Sequence, residues 1–184
     1  MKSIAVLKAL FIPLAFLATA AAAHGPTPQK VEETVAIAAP PARVWDALKS
    51  FGDIAAWHPE LASSKSSDGD KSDAIRTLVF RKGGELEESL DEHDDANMTY
   101  SYRLKDAKLD VLPVSFYSAT IDVKPGADGG STVEWFGRFY RGDTGNFPPD
   151  ELNDEAAVKA MTAFMKTGLA GLKARVEANK TEAK

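Results

Sequence analysis

The most informative absence from this chain of 184 residues is cysteine, of which it has none. Without cysteine there are no zinc–thiolate sites, iron–sulfur clusters, covalently attached haem groups or cysteine nucleophiles. Disulfide bonds are excluded too, so the fold must be stabilised by its core. Histidine is scarce, with three residues, and the G-x-S-x-G motif of serine hydrolases is missing. We therefore predict neither a metal site nor a cofactor, and we assign no catalytic residue.

Positive charge and long apolar runs are also limited. Lysine and arginine number 22 against 27 aspartate and glutamate residues, which gives a formal net charge of −5. An acidic surface disfavours nucleic acids and anionic membrane faces. The apolar run at residues 4–17 contains Lys8 and Pro13 and is too short to span a bilayer, so we expect no stable membrane insertion.

What the amino terminus does contain is the pattern of a secretory signal peptide. Lys2 and Lys8 supply positive charge, the apolar run follows, and Ala-Ala-Ala at residues 21–23 matches an A-x-A cleavage site. We predict a signal peptide over residues 1–23 and one mature domain over residues 24–184, located in the periplasm or secreted. Cleavage removes two lysines, which leaves 20 basic against 27 acidic residues and a net charge of −7.

The mature chain alternates between apolar and polar residues in the way that strands do. Strand patterns occur at residues 31–38 and then repeatedly between residues 62 and 141, separated by turn-forming glycine, aspartate, asparagine and proline. Pro40-Pro41 is typical of a helix start, and a second short helix is predicted to run up to Trp57. The middle of the chain is therefore a series of antiparallel strands preceded by two short helices.

A long amphipathic helix follows the strands. Apolar residues recur at helical spacing over residues 154–178, after Pro148-Pro149. The strands must bury their apolar face, and this helix is the only large apolar partner in the sequence. We therefore predict an α+β fold in which a curved antiparallel sheet of about seven strands wraps around the long C-terminal helix, with two short helices after strand 1 and a pocket between sheet and helix.

Several segments carry a resemblance to a known family: PPARVWDALKSFGDIAAWHPEL at residues 40–61, ESLDEHDDANMTYSYRL at 88–104, LPVSFYSATIDVKP at 112–125 and VEWFGRF at 133–139. With these segments the chain resembles the SRPBCC superfamily, the START-like, polyketide cyclase/dehydrase-like proteins with the helix-grip fold. With a signal peptide added, it is most similar to the MxaD-type periplasmic proteins, which are linked to methanol oxidation.

The resemblance implies a cavity for a hydrophobic or amphipathic small molecule, but not one activity, because a fold does not determine function. We expect a periplasmic, non-enzymatic binding or accessory protein that could support a periplasmic oxidoreductase, such as methanol dehydrogenase and its cytochrome. The alternatives are a polyketide cyclase or dehydratase-like enzyme acting in the same cavity, and a lipid or pigment carrier. The binding hypothesis is favoured because the sequence shows no convincing pair of catalytic groups.

Glu88 is the principal candidate for a polar contact to the ligand. It shares strand parity with Leu86 and Leu90 and should face the same side of the sheet. The resemblance also places it where plant hormone receptors of the superfamily have a cavity glutamate in an E-x-L motif. The alternative is a solvated acid on an edge strand. An inward carboxylate needs a partner, and Arg76 and Arg81 on the preceding strand are both possible.

The other candidates are residues that the predicted fold places around the cavity. Trp57 and His58 should lie at its mouth, although Trp57 could instead seal a helix against the sheet and His58 could be a surface residue. The tyrosines could offer hydroxyl groups to the ligand or fill the core with one hydrogen bond each. The remaining candidate ligand-binding residues are Tyr100, Tyr102, Tyr117, Leu112, Pro113, Phe139, Met161, Phe164 and Met165.

Overall fold

A computed structural model describes residues 25–178. The predicted signal peptide, His24 and the last six residues of the chain lie outside the described residues. Within the described part, no helix is both long and apolar enough to cross a bilayer.

The sheet contains the seven antiparallel strands that the sequence pattern predicts. Their order is β1-β7-β6-β5-β4-β3-β2, so consecutive strands pair except where β1 lies beside β7. This topology follows from short turns between β2 and β7, which make each strand the neighbour of the one before it. The strands are β1 Gln29–Ile37, β2 Leu61–Ser66, β3 Ile75–Phe80, β4 Glu85–Asp94, β5 Thr99–Leu104, β6 Val114–Pro125 and β7 Ser131–Arg141.

The helices also confirm the predicted fold class. Helix α1 spans Pro41–Leu48 with proline at its first position, where a missing N–H costs nothing. A 3-10 helix follows at Phe51–Ala56. Helix α2 spans Asp154–Ala178, carries acids in its first turn and Arg175 in its last, as the helix dipole favours, and packs against β1 and β7.

The interior between the sheet and α2 is filled by side chains. Alternate residues of the strands point inward and meet the buried face of α2, which includes Met161, Phe164 and Met165. Two cavities of the described residues lie outside this interior, one of about 590 Å³ beside β2 and β3 and another of about 420 Å³ between the start of α1 and the turn before β7. The fold is the predicted one, and buried side chains of the sheet and α2 line its interior.

His93 lies near the end of β4 and not in the turn that follows. Strand β4 extends to Asp94, and the turn begins after it because Asp94 accepts hydrogen bonds from the backbone N–H groups of Ala96 and Asn97. His93 is partly buried, its Nε2 lies 2.8 Å from the carbonyl oxygen of Lys49, and its ring is nearly parallel to that of Tyr100.

Candidate functional site

The centre of the interior is an ion pair between Arg76 of β3 and Glu88 of β4. The two residues are direct partners in the antiparallel register, so both side chains point to the same face. Arg76 is 0% and Glu88 1% exposed. Nε and Nη2 of Arg76 lie 2.7 and 2.6 Å from Oε2 of Glu88. Glu88 therefore faces inward as strand parity predicts, and the edge-strand alternative is wrong.

Two further groups complete the coordination of this pair. The hydroxyl of Tyr117 on β6 donates to Oε1 of Glu88 at 2.6 Å, and Nη1 of Arg76 donates to the carbonyl oxygen of Phe51 at 2.8 Å. Burial, the largest single effect, lowers the pKa of Arg76. The charge and hydrogen bond of Glu88, together with the neighbouring Tyr100 and Tyr102, outweigh burial, so the pKa is raised and the guanidinium stays charged. Burial and the charge of Glu88 raise the pKa of Tyr117, which therefore remains a donor.

Aromatic rings surround the guanidinium group. Its central carbon lies 4.1 Å from the ring centre of Phe51 and 4.8 Å from that of Tyr102, distances at which a cation is attracted to the ring face. The hydroxyl of Tyr102 accepts a hydrogen bond of 2.9 Å from the indole of Trp135 on β7. We call Arg76, Glu88, Tyr117, Tyr102 and Phe51 the central cluster.

His58 is 1% exposed, which makes the surface interpretation of this residue wrong. Its Nε2 lies 3.0 Å from the carbonyl oxygen of Phe164, its Nδ1 accepts from the N–H of Glu60 at 3.3 Å, and its ring stacks on Phe164 with centroids 4.1 Å apart. Burial, the main cause, and the charge of Arg76 lower the pKa of His58 to about 4, although the hydrogen bond to Phe164 opposes this. His58 is neutral at pH 7 and joins α2 to the segment after the 3-10 helix.

Two other predicted site residues have buried polar atoms without partners. Trp57 is 4% exposed and packs edge-on against Trp135, with ring centroids 5.8 Å apart. Tyr100 is 1% exposed, and its ring centroid lies 6.1 Å from that of Phe51. Among residues 25–178, neither the indole N–H of Trp57 nor the O–H of Tyr100 finds an acceptor, although the guanidinium of Arg76 lies beside the Tyr100 oxygen.

Helix α2 supplies the floor of the interior with the predicted residues Met161, Phe164 and Met165, which are all buried. The methionines cover Gly137 of β7, where a Cβ atom would lie 2.5 Å from Cε of Met165. Glycine here leaves room that the flexible thioether fills.

The remaining predicted residues lie at one end of the sheet. Phe139 is 1% exposed and pairs with Tyr117 in the register of β6 and β7. Leu112 is buried and Pro113 half-buried in the connection between β5 and β6. This connection is held to the turn between β3 and β4 by a hydrogen bond from Nζ of Lys82 to the carbonyl oxygen of Val111, at 2.9 Å.

Sequence reasoning left the partner of Glu88 open and missed two aromatic residues. Arg76 is the partner, while Arg81 is exposed and donates to the carbonyl oxygen of Pro59. Arg76 is two residues from Leu78 and four from Phe80, so strand periodicity alone places it on the same inward side as these apolar residues, which could have identified it as the partner. Phe51 and Trp135 belong to the site because tertiary packing brings them there, and nothing in the local sequence distinguishes them from other apolar residues. Whether any of these residues contacts a ligand stays a prediction.

Acidic and histidine side chains do not gather into a metal site anywhere in residues 25–178. His58 and His93 are both engaged with backbone carbonyl groups. The arrangement is therefore suited to holding polar groups in a dry, aromatic interior, where hydrogen bonds and charges act more strongly than in water.

Comparisons with known proteins agree with this fold. The model of the family "Polyketide cyclase / dehydrase and lipid transport" matches residues 28–177. XoxI from Bacillus cereus is 27% identical with a TM-score of 0.69, and the match covers 82% of this chain and 97% of that one. A protein from Bacillus thuringiensis described as uncharacterized is 27% identical with a TM-score of 0.67, covering 80% and 98%.

A more distant structure has the same architecture. Ara h 8.0201 is 18% identical with a TM-score of 0.64, and the match covers 83% of this chain and 99% of that one. At this identity the likeness shows the fold alone. The comparison with curated protein sequences gives no match.

Proposed function

Since the chain belongs to the polyketide cyclase/dehydrase and lipid transport family, we propose that it is a non-enzymatic protein that binds a hydrophobic or amphipathic small molecule between the concave face of the sheet and α2. The predicted site residues surround this interior, and all except Pro113 are buried. The family description includes lipid transport, and a hydrophobic ligand fits an interior lined by aromatic and methionine side chains.

The observation that carries the proposal is the buried network of Arg76, Glu88 and Tyr117. Taking two charges out of water is expensive, and apolar side chains of similar volume often replace a buried ion pair without loss of stability. The fold itself therefore does not require the network. A ligand site does, because a few placed polar groups in an apolar pocket orient the bound molecule.

The ligand needs room that flexible side chains can provide. Met161 and Met165 fill the space over Gly137. Methionine is unbranched and adapts to its surroundings at low cost. Rotation of Met165 away from Gly137 would open space between β7 and α2 while the strands keep their register.

A paired substitution tests the proposal. Arg76→Met combined with Glu88→Leu removes both charges together, so no charge is left unpaired and the domain should still fold cooperatively. Its melting temperature should fall less than that of either single variant, because only the Tyr117 hydroxyl and the Phe51 carbonyl lose a partner. We expect native mass spectrometry of wild-type protein purified from its host to show a bound small molecule, and the double variant to lose it.

The matched control is Glu87→Leu combined with Lys105→Met. This ion pair, at 3.2 Å, is neither buried nor part of the interior, so its removal should leave the bound molecule in place. A wild-type protein that carries no small molecule, or a core double variant that retains it fully, contradicts the proposal.

The geometry favours binding over acid–base catalysis. One oxygen of Glu88 is held by Arg76 and the other by Tyr117. Both ring nitrogens of His58 are engaged with backbone groups. A general base must lie within reach of a substrate proton, whereas both oxygens of Glu88 and both nitrogens of His58 face groups of the protein itself.

We also propose that the protein is exported and assists a periplasmic oxidoreductase or its cytochrome. Support comes from the signal-peptide pattern of residues 1–23 and from the acidic composition, which would attract a basic partner. We predict that amino-terminal sequencing of protein isolated from its host finds a start at or near His24. A start at Met1, or recovery from the cytoplasm alone, would refute export.

A further inference from the structure

Two buried donors point to the chemistry of the ligand. The indole N–H of Trp57 and the O–H of Tyr100 have no acceptor among the described residues, although both side chains are almost wholly buried. A buried donor without an acceptor destabilises the fold, and native proteins keep few of them. Both donors therefore indicate an acceptor that comes from outside the chain.

Both donors border the central cluster. Tyr100 lies 6.1 Å from Phe51 and 6.0 Å from Tyr102, measured between ring centres. Trp57 packs on Trp135, whose indole donates to Tyr102. A molecule that enters between the sheet and α2 would thus meet these donors beside the ion pair.

The charges of the interior are balanced. Arg76 and Glu88 neutralise each other, and the low pKa of His58 keeps that ring neutral. Burial raises the pKa of Tyr100, so its hydroxyl stays protonated and able to donate. A charged ligand would bring an uncompensated charge into this dry interior, which is strongly unfavourable.

We propose that the ligand is an uncharged, largely apolar molecule with a carbonyl oxygen, which accepts a hydrogen bond from the indole of Trp57 or the hydroxyl of Tyr100. This assignment rests on the proposed binding function and adds the chemical class of the ligand. A carbonyl suits these donors because it accepts two hydrogen bonds and donates none.

A series of probes with equal chain length tests this class. Methyl heptyl ketone, nonane, nonanoate and nonylamine are titrated at neutral pH against the full mature protein loaded with the neutral dye N-phenyl-1-naphthylamine, and displacement is followed by fluorescence. We expect the ketone to bind about tenfold more tightly than nonane, which corresponds to one hydrogen bond of about 1.4 kcal/mol. Nonanoate and nonylamine should bind more weakly than the ketone.

Trp57→Phe and Tyr100→Phe identify the donor. At least one of these variants should bind the ketone no more tightly than nonane, with nonane binding unchanged. The control Tyr140→Phe, on the opposite face of β7 from the interior, should change neither ketone binding nor nonane binding. Equal binding of ketone and nonane, tighter binding of a charged probe, or an unchanged ketone advantage in both variants overturns the inference alone. Failure of the dye and of every probe to bind overturns the proposed binding function itself.

Discussion

Arg76 and Glu88 meet because residues directly opposite in antiparallel strands share a side of the sheet. The pair is wholly buried, and each charge is stabilised mainly by the other. Removing one partner therefore has a different effect from removing both, since a single substitution leaves an uncompensated charge in the core.

Glu88→Gln should lower the free energy of unfolding by about 3–5 kcal/mol, because Arg76 then lies buried without a counter-charge. Urea unfolding measures this loss. Glu87→Gln, one residue away and facing the other side of β4, should change stability by less than about 1 kcal/mol, since its ion pair with Lys105 is exposed. Equal effects of the two variants would show that the pair does not stabilise the fold as its geometry implies.

His58 makes stability depend on pH. Its pKa is about 4 in the folded protein and about 6.5 when unfolded, so between these values the unfolded chain binds a proton that the folded one does not. Stability contributed by the neutral ring is present above pH 6.5 and decreases as the pH falls towards 4, by about 3 kcal/mol in total.

His58→Gln removes this titration. We expect unfolding experiments across the pH range from about 7 to about 4 to show a smaller loss of stability for the variant than for the wild type. Carboxylates contribute equally to both proteins, so the difference between the two curves isolates His58. Parallel curves would contradict the low pKa of the buried ring.

At the scale of elements, α2 is the component on which the rest of the fold depends. It lies against β1 and β7, and its buried face runs from Ala157 to Val176. Its glycines allow close approach: a Cβ at Gly168 would lie 2.6 Å from the ring of His58. Helix α2 therefore packs closely against the segment that follows the 3-10 helix as well as against the sheet.

Met161→Asp should unfold the domain or lower its melting temperature severely, because an unpaired carboxylate would be placed under the sheet at a cost of several kcal/mol. Circular dichroism during heating measures the effect. Ala163→Asp is the matched control, since residue 163 lies on the exposed face of the same turn. A nearly unchanged melting temperature for Met161→Asp would show that the face assigned to α2 is wrong.

At the scale of the whole molecule, stability comes from a single core without disulfide bonds. All seven strands and α2 lie between Gln29 and Ala178. We expect a chain that starts at His24 to fold with the melting temperature of the full-length protein. A chain that ends at Asn153 lacks α2, leaves the concave face of the sheet exposed, and should not fold cooperatively. Loss of folding in the chain from His24 would show that residues 1–23 contribute to the domain.

The sequence by itself determined the fold class, the strand order along the chain, the bounds of α2 and the inward direction of Glu88. These features depend on local periodicity: a repeat of two residues assigns the faces of a strand, and a repeat of 3.6 assigns the faces of a helix. A residue's neighbours along the chain therefore suffice to predict which side it faces.

Only the tertiary structure decided what the inward residues meet. It selected Arg76 over Arg81 as the partner of Glu88. It also buried His58 against Phe164 and brought Phe51 and Trp135 to the cluster. These contacts join residues far apart in the sequence, and they depend on strand register and on the volumes of all the side chains that share the interior. Periodicity gives a direction for each side chain, whereas close packing decides its partners and the space that is left.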